Sequence, residues 1–123
     1  MNRLFIYILC TLFYTTINAQ SLATKGDSAY MNKDYHKAIT LYEDALKSEG
    51  VSAAILYNLG NTYYKAGNNG KAILCYERAL MLDPNDNDII TNLNLVRNNL
   101  IDKTIENQSL IVKVWNSIIN IFD

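Results

Sequence analysis

The chain has 123 residues, half of them apolar and about a fifth charged, with a formal net charge of −1 and a pI near 5.7. That suffices for one small globular domain and provides no basic field to hold nucleic acid. Five glycines and one proline are too few for a long linker or a turn-rich all-β chain, so the composition predicts a small helical domain.

Residues 1–19, MNRLFIYILCTLFYTTINA, place Arg3 before an apolar run from Leu4 to about Tyr14, then a polar stretch ending in the small residue Ala19. This is the layout of a secretory signal peptide cleaved after Ala19, with a retained N-terminal anchor as the alternative. The apolar run is shorter than the ~20 residues a spanning helix needs. Cys10 lies inside that run behind the bulky Leu9, which argues against lipid attachment. The expected product is exported and periplasmic, with a peripheral or anchored position at the membrane left open. Cleavage would leave Cys75 as the one cysteine, so the mature chain could form no internal disulfide.

From residue 19 onward the chain repeats itself at an interval of 34. Residues 19–52 and 53–86 align without a gap, with identities at Ala19/Ala53, Leu22/Leu56, Gly26/Gly60, Tyr30/Tyr64 and Lys37/Lys71. They continue at Ala38/Ala72, Ile39/Ile73, Tyr42/Tyr76, Glu43/Glu77, Ala45/Ala79 and Leu46/Leu80. The second unit reads Leu56, Leu59-Gly60, Tyr63, Ala72, Tyr76, Ala79 and Pro84, and this period and pattern resemble the tetratricopeptide repeat. The first unit has Lys25 and Gly50 where the pattern has leucine and proline. The expected fold is all-α, a solenoid of stacked helical hairpins that bury their apolar sides only against one another.

Helices are predicted at about 21–32, 35–48, 53–66 and 70–82, with Ser52 capping the third and a turn at 67–70. Gly60 and Ala72 are expected to face each other where the two helices of a hairpin come closest, with Tyr63 and Tyr76 on either side. A fifth helix, 87–101, follows the sequence Asp-Pro-Asn-Asp; Asp86 and Asp88 suit its positive end. Asn94 and Arg97 stand where a third unit would have glycine and tyrosine, which makes 87–101 a capping helix. The domain therefore runs 20–101. A linker and a separate amphipathic helix over 108–122 complete the chain, the latter with Ile111, Trp115, Ile118, Ile119 and Phe122 at helical spacing.

The resemblance implies that the first helix of each unit lines a concave groove. The matching positions are Asp27 and Tyr30 in the first unit, Tyr57, Asn61 and Tyr64 in the second, and Asp88, Thr91, Leu95 and Asn98 in the capping helix. Aromatic rings and amides suit a protein or peptide partner. For Tyr30 and Tyr64, packing between helices stays open as the other reading. Tyr57→Ala with Asn61→Ala is expected to weaken binding while leaving the melting temperature nearly unchanged. Some such arrays clamp a C-terminal carboxylate with lysines and an arginine; here Ala23, Asp27, Asp88 and Asn92 occupy the matching places.

No catalytic constellation stands out. Asp83, Asn85 and Asn87 begin like a calcium loop, but Asp88 replaces the required glycine and Asn94 the bidentate glutamate. His36 has no partner spaced for metal binding or acid–base work, and Cys75 lies on a helix without a base beside it. No metal, cofactor or catalysis is expected.

An export signal, the 57–86 repeat, Asn92-Leu93-Asn94 through Asp102-Lys103, and a segment containing Trp115 together resemble the N-terminal half of BatE-type aerotolerance proteins of Bacteroides-like bacteria. That resemblance implies a noncatalytic envelope scaffold working beside von Willebrand-type membrane proteins and an associated ATPase. Such proteins usually continue into membrane segments and a small SH3-like domain. The 110–122 helix then has two readings, a juxtamembrane element lying in the interface or a last cover on the solenoid.

Overall fold

The computed structural model describes residues 20–122, and the side chains of residues 20–118. The expected signal peptide, 1–19, lies outside the described residues. Five α-helices follow in order: α1 (Leu22–Met31), α2 (Tyr35–Ser48), α3 (Ala53–Lys65), α4 (Asn69–Leu82) and α5 (Asn87–Phe122). α1 pairs with α2 and α3 with α4 as hairpins; α2 then packs on α3 and α4 on α5, giving a helical-hairpin solenoid.

Each start is set by a short polar side chain that satisfies an orphan amide in the first turn. Ser21 accepts from the Thr24 N–H at 3.1 Å, Ser52 from the Ile55 N–H at 3.2 Å, and Asn68 from the Lys71 N–H at 3.1 Å. Asp34 plays the same part for α2, accepting from the Lys37 N–H at 3.2 Å. Asp86 opens α5 by accepting from the N–H groups of Asp88 and Ile89, at 2.9 and 3.1 Å. The two hairpin turns need a left-handed residue, supplied by Gly67 (φ 82°) in the second unit and by Lys33 (φ 61°) in the first.

The repeated alanines and tyrosines form the core. Ala38, Tyr42 and Ala45 are buried in α2, as are Ala72, Tyr76 and Ala79 in α4, against Leu56, Leu59 and Tyr63 of α3. The glycines differ from expectation in what they meet. A Cβ on Gly60 would stand 2.7 Å from Cε1 of Tyr76, and one on Gly26 would stand 2.7 Å from Cε1 of Tyr42. The close approach is therefore glycine to tyrosine ring, and Ala72 is not the atom that crowds Gly60. A large ring on the second helix can lie flat only where the first helix has no side chain.

The C-terminal region departs most from expectation. The proposed linker at 102–107 is helical, and α5 runs unbroken for 36 residues, ~54 Å at 1.5 Å per residue. No glycine or proline occurs between Asn87 and Phe122, so nothing in the sequence stops the helix. Only its first part caps the solenoid: Ile89, Leu93 and Val96 are buried against α4, and every residue from Leu100 to Ile118 is exposed. Arg97, in the place of the pattern's tyrosine, lies at the surface and pairs with Glu77 of α4.

Candidate functional site: the concave face

α1, α3 and α5 present one continuous concave strip. Its first depression, about 230 Å³, is lined by Asp27, Tyr30, Met31, Tyr42, Asn58 and Asn61. The second, about 300 Å³, shares Tyr30 and Asn61 and adds Tyr64, Lys65, Tyr76, Asn92, Leu95 and Val96. The floor is an ordered polar network that follows the repeat. Tyr42 donates its hydroxyl proton to Asp27 Oδ1 at 2.6 Å, and Asn58 Nδ2 donates to the same oxygen at 3.1 Å. Thirty-four residues on, Tyr76 donates to Asn61 Oδ1 at 2.7 Å and Asn92 Nδ2 donates to it at 2.9 Å. Each triad thus ties the second helix of one unit, the first helix of that unit and the first helix of the next.

Asn92 also donates to the Tyr57 hydroxyl at 3.1 Å, and Asn99 Nδ2 to the Tyr64 hydroxyl at 3.0 Å. Among the described residues no partner is recorded for Asn61 Nδ2, nor for the side-chain oxygens of Asn58 and Asn92. Each of these half-buried amides can therefore offer hydrogen-bonding capacity to something lying in the strip. An array of amides with unused donors and acceptors, beside the tyrosine rings, matches the alternating N–H and C=O groups of a peptide.

Of the residues expected in the groove, Asp27, Tyr30, Asn61, Tyr64 and Leu95 line it. Tyr57 is half-buried at its edge, with its ring packed on Tyr76 at a centroid distance of 6.1 Å. Asp88, Thr91 and Asn98 are exposed on α5 but line neither depression. Asn92, one helical step around, lines the second depression in their stead, Asn99 lies outside both and reaches only the Tyr64 hydroxyl, and Asn58 and Met31 line the first. Asn58 and Asn92 carried a usable signal, the same residue at the same position of consecutive units. The network also corrects the expectation for Tyr57→Ala with Asn61→Ala. Removing Asn61 takes away the acceptor of the buried Tyr76 hydroxyl, so this pair of changes is expected to cost stability.

The buried phenols give a pH dependence. Burial raises the pKa of Tyr42 well above its ordinary 10.0, with a further rise from its hydrogen bond to Asp27. The same order of causes acts on Tyr63, whose hydroxyl donates to Glu43, and burial leads again for Tyr76. Above pH 10 the unfolded chain loses these protons while the folded chain keeps them. Stability is then fully present below pH 10 and falls as pH rises further. The melting temperature is expected to drop steeply above pH 10, with phenolate absorbance from these rings appearing only on unfolding. A flat profile from pH 9 to 12 would show that these hydroxyls are not held in the neutral form.

Burial pushes the Cys75 thiol up to about 11, against the lowering influence of Arg78 and Lys71, so it is a protonated, weakly nucleophilic group near neutral pH. Among the described residues no group of three or more His, Cys, Asp and Glu side chains converges as a metal site would require.

Residues 53–86 match the tetratricopeptide-repeat family model. Over 106 residues the chain is 29% identical to the TPR repeat-containing protein MJ1428 of Methanocaldococcus jannaschii, a match covering 85% of this chain and 18% of that protein. Over 87 residues it is 31% identical to the heat-shock protein cognate co-chaperone sgt12 of Aspergillus fumigatus, covering 71% of this chain and 26% of that protein. The chain thus spans about a quarter or less of the length of these curated relatives. Tetratricopeptide repeats in general mediate protein–protein interaction, and proteins built on them are generally noncatalytic.

Proposed function

We propose that this chain is a noncatalytic scaffold of the bacterial envelope whose concave strip holds a peptide segment of a partner protein. The observation that carries this reading is the repeating Tyr–Asp/Asn–Asn floor, which leaves amide groups unused along a strip bordered by Tyr30, Tyr64 and Leu95. The strip's charged groups, Asp27 and Lys65, do not form the cationic clamp that a terminal carboxylate demands. A co-chaperone among the relatives is in keeping with a scaffold role; the groove chemistry favours internal peptide over a carboxylate tail. The export signal expected in residues 1–19 and the 92–103 sequence support a setting within a BatE-type aerotolerance complex, with von Willebrand-type membrane proteins as partners.

Met31 and Leu95 line the strip, are 78% and 46% exposed, and make no side-chain hydrogen bond, so they can be changed without touching the floor. The Met31→Lys/Leu95→Lys variant should keep its stability within about 0.5 kcal/mol per site. In affinity capture from envelope extract it should lose the proteins that the parent retains. Equal capture by both would remove the groove from the reading. Capture of soluble proteins alone, without von Willebrand-type membrane proteins, would remove the aerotolerance setting.

A second reading draws on the C-terminal half of α5, where Ile111, Trp115 and Ile118 are 68%, 63% and 45% exposed; Ile119 and Phe122 continue the stripe in sequence, and their side chains lie outside the described ones. In this reading the chain associates with a membrane surface through that helix. Among the described residues no helix is long and apolar enough to cross a membrane, so the contact would be interfacial. Liposome flotation that is abolished by deleting 108–123 supports this reading; absence of flotation removes it.

A further inference from the structure

The opposite side of the solenoid carries a larger cleft than either concave depression, about 450 Å³, between α2 and α4. Its floor comes from α3 residues two positions from the concave ones, hence ~200° around that helix: Leu59 beside Tyr57 and Asn61, Tyr63 beside Asn61 and Lys65. Leu59 and Cys75 are buried at the bottom, and Leu46 closes one wall. Val51 and Leu74 form the lips and are 57% and 54% exposed, a cost that an apolar guest would relieve.

The charges around this apolar cleft are one-sided. Lys47, Lys71 and Arg78 stand on its rim against the single carboxylate of Glu43. Glu43 is already engaged as the acceptor of the Tyr63 hydroxyl. Lys71 is held with Nζ 5.1 Å from the centre of the Tyr63 ring, which fixes one cation directly beside the apolar floor. Lys47 is paired with Asp44 at 3.1 Å, but both groups are well exposed and the pair is weak. Arg78 has no ion-pair partner among the described residues. A guest matching both features must be apolar at its centre and acidic at its edges.

We infer that this convex cleft is a second protein-docking site, taking a partner segment in which a bulky apolar side chain is flanked by acidic residues. The aliphatic or aromatic side chain enters between Val51 and Leu74 toward Leu59, and the flanking carboxylates meet Lys71, Arg78 and Lys47. The site is independent of the concave strip, so a scaffold of this form can hold two segments at once.

The test uses the full chain and a fluorescein-labelled peptide with a leucine–phenylalanine core between glutamates, compared by anisotropy with the same core between lysines. Saturable binding of the glutamate peptide, weakened about tenfold or more in the lysine peptide, is expected. Leu74→Asp should abolish it, and Lys47→Glu/Arg78→Glu should reverse the preference; all three positions are at the surface, and melting curves verify folding. The Met31→Lys/Leu95→Lys variant should bind the peptide as the parent does, which separates this site from the concave one. Equal binding of both peptides, no saturable binding, or indifference to the convex variants would overturn the proposal. So would binding of phosphatidylglycerol vesicles, lost on the same charge reversal, in place of the peptide.

Discussion

Gly60→Ala is expected to destabilise the protein by about 1–3 kcal/mol, although alanine is the better helix former by ~1 kcal/mol. The new Cβ would lie 2.7 Å from Cε1 and 2.8 Å from Cδ1 of Tyr76, closer than carbon atoms approach. The ring cannot step aside freely: Tyr76 is 1% exposed and its hydroxyl is held by Asn61. Overpacking therefore outweighs the gain in helix propensity, and a larger side chain at residue 60 should prevent folding. The clash predicts a specific coupling. In denaturant unfolding, Tyr76→Leu alone leaves a void, but combined with Gly60→Ala the total loss should be smaller than the sum of the two. Simple additivity would show that Gly60 and Tyr76 do not share the space assigned to them. The same relation holds for Gly26 with Tyr42, at 2.7 Å, in the first unit.

The second large effect divides α5. Val96→Asp should unfold the domain, because Val96 is fully buried against α4 and an unpaired carboxylate there costs several kcal/mol, a large share of a small domain's ~5–15 kcal/mol. Leu93→Ala, less drastic, should cost about 2–5 kcal/mol. Deleting 108–123 should leave the melting temperature nearly unchanged, since every described residue from Leu100 onward is exposed. The pair of results would show that the first three turns of α5 are the solenoid's cap and the rest is free for other contacts. A large fall in stability on deletion would mean that the distal helix packs on the body.

The 34-residue period carried most of the fold. Alanine at 38, 45, 72 and 79 and tyrosine at 42 and 76 are buried in the structure as the repeat implies. Capping by Ser52 and the turn at Gly67 were also readable, because short polar side chains and a left-handed glycine act on their immediate neighbours. Half of the candidate site was legible through the resemblance: Asp27, Tyr30, Asn61, Tyr64 and Leu95 stand at the first-helix positions that the repeat family assigns to its groove.

What the sequence could not supply was anything that depends on the angle between helices. That Asn58 and Asn92 reach across to the preceding unit's Asp27 and Asn61 is set by how far adjacent units rotate, a quantity absent from a linear period. The same rotation decides that Asn92, rather than Asp88, Thr91 and Asn98, faces the strip. Within one hairpin, the crossing of its two helices decides that Gly60 meets a ring and not an alanine. Local chemistry fixed where helices begin and which residues are small, because those effects act within a turn or two. Only the tertiary structure determined which side chains meet, because helix-to-helix contacts join residues 15 to 35 positions apart through packing that no single segment encodes.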